Sequence, residues 1–113
     1  MPVVDQALYV EGVQVGVSWQ FSGRVFVEDP VGSGTWRKAT AGEVEVELSY
    51  LGEGWPKLLE AKMTDASGEV SFAESWESGV YTMEAKHMLS FDRYKLQIVC
   101  NDDGTYDVEV EIE

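Results

Sequence analysis

The stretch Met63–Glu84, MTDASGEVSFAESWESGVYTME, decides how this chain folds. Thr64 and Asp65 lead into Ala66-Ser67-Gly68, a turn whose glycine takes positive φ at no steric cost. Val70 and Phe72 then alternate with Ser71 and Ala73, the period of two that marks a half-buried strand. Ser78-Gly79 opens a further run in which Val80, Tyr81 and Met83 are strand formers. The order strand, tight turn, strand, loop, strand is that of a β-sandwich.

The flanking sequence repeats the pattern. In Glu43–Tyr50 the apolar Val44, Val46, Leu48 and Tyr50 share one parity, and Glu43, Glu45, Glu47 and Ser49 share the other, as in an antiparallel strand with one wet face. Ala7–Val15 is a short strand interrupted by Gly12. In Val17–Val27 the residues Val17, Trp19 and Phe21 share a face, and Gly23 marks a bulge or a close backbone contact. Glu28–Gly42, with Asp29-Pro30 and Gly32-Ser33-Gly34, is a loop or loose hairpin tip carrying Trp36, Arg37 and Lys38. Leu51–Pro56 is a turn. Lys57–Met63 is too short for a stable isolated helix. It fits a strand with Leu59, Ala61 and Met63 on one face, which the Asp65–Gly68 turn folds into a hairpin with Val70-Ser71-Phe72. Val80–His87 and Arg93–Cys100 come next, the latter with Tyr94, Leu96, Ile98 and Cys100 inward. Asn101-Asp102-Asp103-Gly104 is a hairpin turn. The closing strand sets Tyr106, Val108, Val110 and Ile112 inward and Asp107, Glu109, Glu111 and Glu113 outward, and its run to the last residue suits a module of a longer chain. The expected fold is therefore all-β, a single antiparallel two-sheet β-sandwich of seven or eight strands over residues 1–113, with 1–16 as an extra edge strand or arm.

Length and charge bound the function. A chain of 113 residues is the size of one domain. Eight Lys and Arg against 21 Asp and Glu give a net charge of −13. So acidic a surface repels phosphate backbones and anionic headgroups, which argues against nucleic acid and membrane as partners. The remaining roles for the charge are solubility, resistance to edge pairing, a divalent cation or a basic partner. No apolar run approaches the ~20 residues of a membrane helix. The first residues lack the basic region and unbroken apolar stretch of an export signal.

Candidate chemistry is sparse. Cys100 is the one cysteine and His87 the one histidine; both suit buried structural roles, and a Cys–His pair is the alternative. Asn101, Asp103, Thr105 and Asp107 present oxygens at alternate positions, but Gly104 comes too early for a calcium loop and the bidentate glutamate is missing, which favours a hairpin turn. Asp65, Glu69, Glu74 and Glu77 could flank a cation only if their loops converge. With no nucleophile elbow, metal-spaced histidines or phosphate loop, no catalytic, cofactor or metal residues are assigned and the chain is expected not to be an enzyme. Trp36, Trp55 and Trp76 lie in or beside polar loops and are the candidate ligand-binding residues. They either cap the ends of the sandwich or present indoles that stack on sugars or anchor a protein interface. The acidic rows Glu43, Glu45, Glu47 and Glu109, Glu111, Glu113 cannot oppose each other directly without cost, so at least one of them should lie beside Lys86, Arg93 or Lys95.

Gly23-x-Val25, Val44-x-Val46-x-Leu48, Thr64-Asp65-x-x-Gly68-x-Val70-x-Phe72 and Gly79-x-Tyr81-x-Met83 together resemble the carboxypeptidase-regulatory-like and Cna B-type modules, which are prealbumin-like (transthyretin-like), broadly Ig-like sandwiches. The resemblance covers about Gly23 to Glu84. It implies a non-catalytic stalk, spacer or accessory module of a surface or secreted protein, hence an extracytoplasmic or cell-surface setting, with a protein or a carbohydrate as partner. Some such adhesin modules carry a Lys-to-Asn isopeptide bond. Here the matching first strand offers Arg24 instead of lysine, and Ala85 stands where the assisting acid is expected, so no such crosslink is expected. Three roles are open to such a chain: an interaction module, a carbohydrate-binding module using loop tryptophans, or an oligomerising structural protein with an exposed apolar patch or a paired edge strand.

Overall fold

A computed structural model describes residues 6–16, 18–30, 32–51, 56–72, 76–89 and 93–110, with the side chains of Gln6 and Trp76 outside that description. Val17, Trp55, Ala73, Glu74, Glu111, Ile112 and Glu113, to which the sequence assigns roles, lie outside the described residues. The described chain has ten strands and no helix: β1 (Gln6–Val15), β2 (Ser18–Glu28), β3 (Trp36–Lys38), β4 (Val44–Tyr50), β5 (Lys57–Met63), β6 (Glu69–Ser71), β7 (Trp76–Glu77), β8 (Gly79–His87), β9 (Arg93–Cys100) and β10 (Tyr106–Val110). They form two antiparallel sheets, the sandwich that the alternation predicts. The count exceeds seven or eight because one side of the fold is built from short pieces.

Sheet A centres on β2. Strand β1 runs the whole length of one side of it, from Gln6 opposite Val27 to Val15 opposite Ser18, with no break at Gly12 and no bulge at Gly23. The other side is shared in succession by β3, β6 and β7. Sheet B has the order β10-β9-β8-β4-β5. Between the sheets lie Trp19, Phe21, Val25, Val27, Val44, Val46, Leu48, Val70, Phe72, Tyr81, Met83, Ala85, Leu96 and Ile98, all buried. Each large apolar side chain so enclosed contributes ~1.5–3 kcal/mol. Gly12 in β1 and Gly23 in β2 are spacing devices. A methyl on Gly23 would sit 3.2–3.3 Å from Leu8, Met83 and Val70, and one on Gly12 would sit 3.3 Å from the Trp19 ring.

Three expectations need correction. The turn at Asp65–Gly68 forms, with Gly68 N–H donating to Asp65 O and Asp65 N–H to Glu69 O. It does not make a hairpin of β5 and β6: β5 pairs with β4 in sheet B, and β6 pairs with β2 in sheet A. The reason lies at Gly68, whose φ of 74° and missing side chain let its backbone seat against β2, accepting from Val25 N–H at 2.8 Å. The turn is thus a corner between sheets, braced by Lys62 Nζ donating to Ser71 O at 2.7 Å. Second, a bulge opposite Leu48 and Ser49 breaks the alternation of β5. Leu59 packs on the core, while Ala61 and Met63 turn outward beside Glu47 and Glu45. Third, Val108 and Val110 have inward parity, opposite the buried Ile98 and Leu96, yet are 39% and 53% exposed. Sheet A covers β10 only at its start, where the Tyr106 ring packs on Trp19 with centroids 5.6 Å apart; farther along, β1 packs over β9 and leaves Val108 and Val110 open.

The strands carrying the described residues of the two acidic rows are not neighbours. Strands β8 and β9 stand between β4 and β10, with Glu45 opposite Lys86 and Glu84 opposite Lys95. Arg93 adds an ion pair to Glu84 at 3.3 Å. Two like-charge pairs persist, Glu47 opposite Glu84 and Lys86 opposite Arg93. Partial burial, with Glu45 and Glu84 nearby, raises the Glu47 carboxyl above its ordinary value.

Candidate functional site

The outer face of sheet A carries the residues of the second parity on β1 and β2, and three of the residues on that face are aromatic in a row. Register places Tyr9 opposite Arg24, Ala7 opposite Phe26, Lys38 opposite Phe26 and Trp36 opposite Glu28. Tyr9 is therefore diagonal to Phe26, and Phe26 diagonal to Trp36, so the rings step across three adjacent strands. Diagonal neighbours on a sheet are within reach of aromatic side chains. Tyr9 and Phe26 meet edge to face, with centroids 5.6 Å apart and an interplanar angle of 84°. Together with Ala7, Arg24 and Trp36 they line an open hollow of about 600 Å³. Tyr9 is 58% and Trp36 45% exposed. The three rings form one strip on the solvent side of sheet A.

The tip carrying Trp36 is held from within. The buried Glu28 carboxylate accepts from Gly32 N–H at 2.7 Å and Gly34 N–H at 3.0 Å, which closes the loop, and Asp29 N–H donates to Thr35 O. Next to Trp36, the Arg37 guanidinium donates Nε–H to Asp29 and both terminal nitrogens to Glu43, each of the latter at 2.8 Å. Glu43 also accepts from Thr40 and from His87 Nε2–H at 2.9 Å. The Arg37 hydrogen bonds hold the Glu43 carboxyl well below the usual carboxylate range, and Glu43 with Asp29 drives the guanidinium upward in turn. This node joins the start of β4, the end of β8 and the strand bearing Trp36.

Of the tryptophans singled out in the sequence, Trp36 and Trp76 lie on strands at opposite ends of β2. Trp36 stands at the Glu28 end of β2, and Trp76 pairs with Trp19 at the other end. Nine residues of strand separate the two positions, ~30 Å. Trp55 lies outside the described residues. Tyr9 and Phe26 were the missed members, and their signal was parity: each is out of phase with buried neighbours, Leu8 for Tyr9, and Val25 and Val27 for Phe26.

The other candidates resolve into structure. Cys100 pairs with Gly79 and His87 with Val44, at opposite ends of β8, so they form no dyad. Burial pushes the Cys100 thiol up to about 11. Asp103 accepts from Thr105 N–H and Oγ1–H, and Asn101 N–H donates to Thr105 O, as in a hairpin turn. Asp65 Oδ1 accepts from Ser67 N–H and Glu69 N–H within its own turn. Among the described residues no three His, Cys, Asp or Glu side chains are grouped to hold a metal ion.

Comparison of the chain with protein-family models, with curated proteins and with solved structures finds no match.

Proposed function

We propose that this chain is a non-catalytic interaction module, part of a larger surface or secreted assembly, that meets its partner through the outer face of sheet A. The observation that carries this reading is the aromatic diagonal Tyr9–Phe26–Trp36 on an otherwise strongly acidic protein. The two-sheet sandwich is also what the resemblance to prealbumin-like accessory modules leads one to expect. The test is a photo-crosslinking amino acid placed at Lys38 on the outer face of sheet A, or at Lys95 on the outer face of sheet B, in the cells that make the protein. A discrete adduct from the Lys38 position alone is expected. Equal adducts from both positions, or none from either, would overturn the proposal.

A second reading, carbohydrate binding, draws on one specific feature. Tyr9 and Trp36 offer ring surface beside the Arg24 guanidinium, and sugars present apolar C–H faces ringed by hydroxyls that such a set can stack on and hydrogen-bond. A neutral soluble polysaccharide should then quench or shift tryptophan fluorescence in the native chain and not in Trp36→Ala. An equal response from both proteins removes Trp36 from the site.

A further inference from the structure

The overhang of β10 creates a vacancy one strand wide. On the far side of β2, Phe21 and Val25 exchange backbone hydrogen bonds with Phe72, Gly68 and Ala39. Their backbone groups therefore point away from β1. The β1 residues opposite Phe21, Gly23 and Val25 are Gly12, Val10 and Leu8. By the alternation of antiparallel ladders these three direct their own N–H and C=O groups to the free edge of sheet A. That edge has no strand neighbour among the described residues. Below it, Val108 and Val110 form an uncovered apolar ledge. At one end Gln14 Nε2–H reaches Asp102 O at 3.5 Å and ties β1 to the turn before β10, so the vacancy runs beside Leu8–Gly12.

We propose that an extended segment of another protein, alternating apolar and basic residues, adds to the edge of β1 and covers the β10 ledge. Strand addition supplies backbone hydrogen bonds for affinity and pockets at alternate side chains for selectivity. The inward residues of the segment meet Val108 and Val110, which want apolar cover. Its outward residues lie beside Tyr9 and Glu11 on the outer face of β1, an electron-rich ring and a carboxylate, on a chain of net charge −13. Both neighbours favour cations. A second copy of this chain does not fit edge to edge. Neighbouring strands are ~4.8 Å apart, and each copy's sheet B projects one strand beyond its β1, so the two ledges would occupy the same space. The vacancy borders the aromatic diagonal at Tyr9, and the inference rests on the free edge of β1 and the exposed Val108 and Val110 rather than on Phe26 and Trp36.

The test uses the whole chain and a capped synthetic peptide of about six residues alternating valine and lysine. Calorimetry should show saturable binding at low salt. With peptide at ten times its Kd, amide exchange at Leu8, Val10 and Gly12 should slow about tenfold. Val108→Thr with Val110→Thr should weaken binding about tenfold, and Trp36→Ala should leave it unchanged. A peptide N-methylated at alternate residues keeps the charge, loses the backbone donors and should not bind. The proposal fails if that peptide binds equally well, if a valine–glutamate peptide binds as tightly, if the amides are unprotected, or if no binding occurs. It also fails if the protein self-associates and protects those amides without peptide.

Discussion

Gly68→Ala puts a methyl group where backbone already is. The added Cβ would lie 2.9 Å from Ala39 N and 2.9 Å from Val25 O, closer than carbon approaches such atoms. Neither neighbour can swing aside, because Ala39 N–H donates to Val25 O at 3.0 Å and Val25 N–H to Gly68 O at 2.8 Å. The φ of 74° adds a second cost, since a residue with a side chain pays ~1–2 kcal/mol in the left-handed region. Overpacking contributes ~1–3 kcal/mol more, for a total of ~2–5 kcal/mol against a domain stability of ~5–15 kcal/mol. Gly42 is the control. Its φ is 75°, and an added methyl meets nothing within 4 Å, so Gly42→Ala should cost only the conformational ~1–2 kcal/mol. With a urea m-value of ~1–3 kcal/mol/M, the Gly68→Ala midpoint should fall clearly below that of Gly42→Ala at unchanged m. Equal midpoints for the two variants would refute the seating of the corner against β2. If Gly68→Ala accumulates only unfolded, the steric cost exceeds the whole stability and the reasoning stands.

Two further predictions concern titratable groups. Glu43→Gln should destabilise the fold by ~1.5–3 kcal/mol near neutral pH, the scale of hydrogen bonds to a charged group. The folded-state pKa of Glu43 is depressed, so its contribution is full above the ordinary carboxylate value of ~4.3 and is lost as pH falls toward the folded value. The gap between wild type and Glu43→Gln in urea titrations should therefore narrow below pH ~4.3; a constant gap would remove Glu43 as the charged centre of the node. Cys100 is buried and its thiol is pushed up to about 11, so about one in a thousand is thiolate at pH 8. Ellman's reagent should react slowly with the native chain and rapidly in denaturant, and fast native labelling would place Cys100 outside the core.

How much of this was legible depends on the range of the interaction. The alternation of Val44, Val46 and Leu48 is local, and it correctly fixes which face of β4 is buried. The turn at Asp65–Gly68 is equally local, and its glycine marks it. The pairing of the strand beyond that turn is not local: whether β6 joins β5 or crosses to β2 depends on a backbone contact with Val25, some forty residues earlier in the chain. Val108 and Val110 teach the same point. Their parity was readable from their own strand, but their cover depends on the width of the opposite sheet, about which β10 carries no signal. The aromatic diagonal was readable in part. Tyr9 and Phe26 are out of phase with the core on either side of them, yet only the register of β1, β2 and β3 reveals that they adjoin Trp36.

The two outer faces of the sandwich are unlike, and the difference is what favours sheet A in the proposed function. Sheet B meets solvent with carboxylates interleaved with cations, as in Glu45 opposite Lys86 and Glu84 opposite Lys95. Exposed pairs of this kind contribute ~0–1 kcal/mol each and need no partner to be stable. Sheet A meets solvent with Tyr9, Phe26 and Trp36 beside Arg24 and Lys38. Exposed rings gain nothing from water, and the chain commits Glu28, Arg37, Asp29 and Glu43 to holding the tip that carries Trp36 in place. A loop stabilised only for its own sake would not require an indole at its outer end. A loop that presents the indole to a partner would, because a ring already held in place loses little conformational freedom on contact.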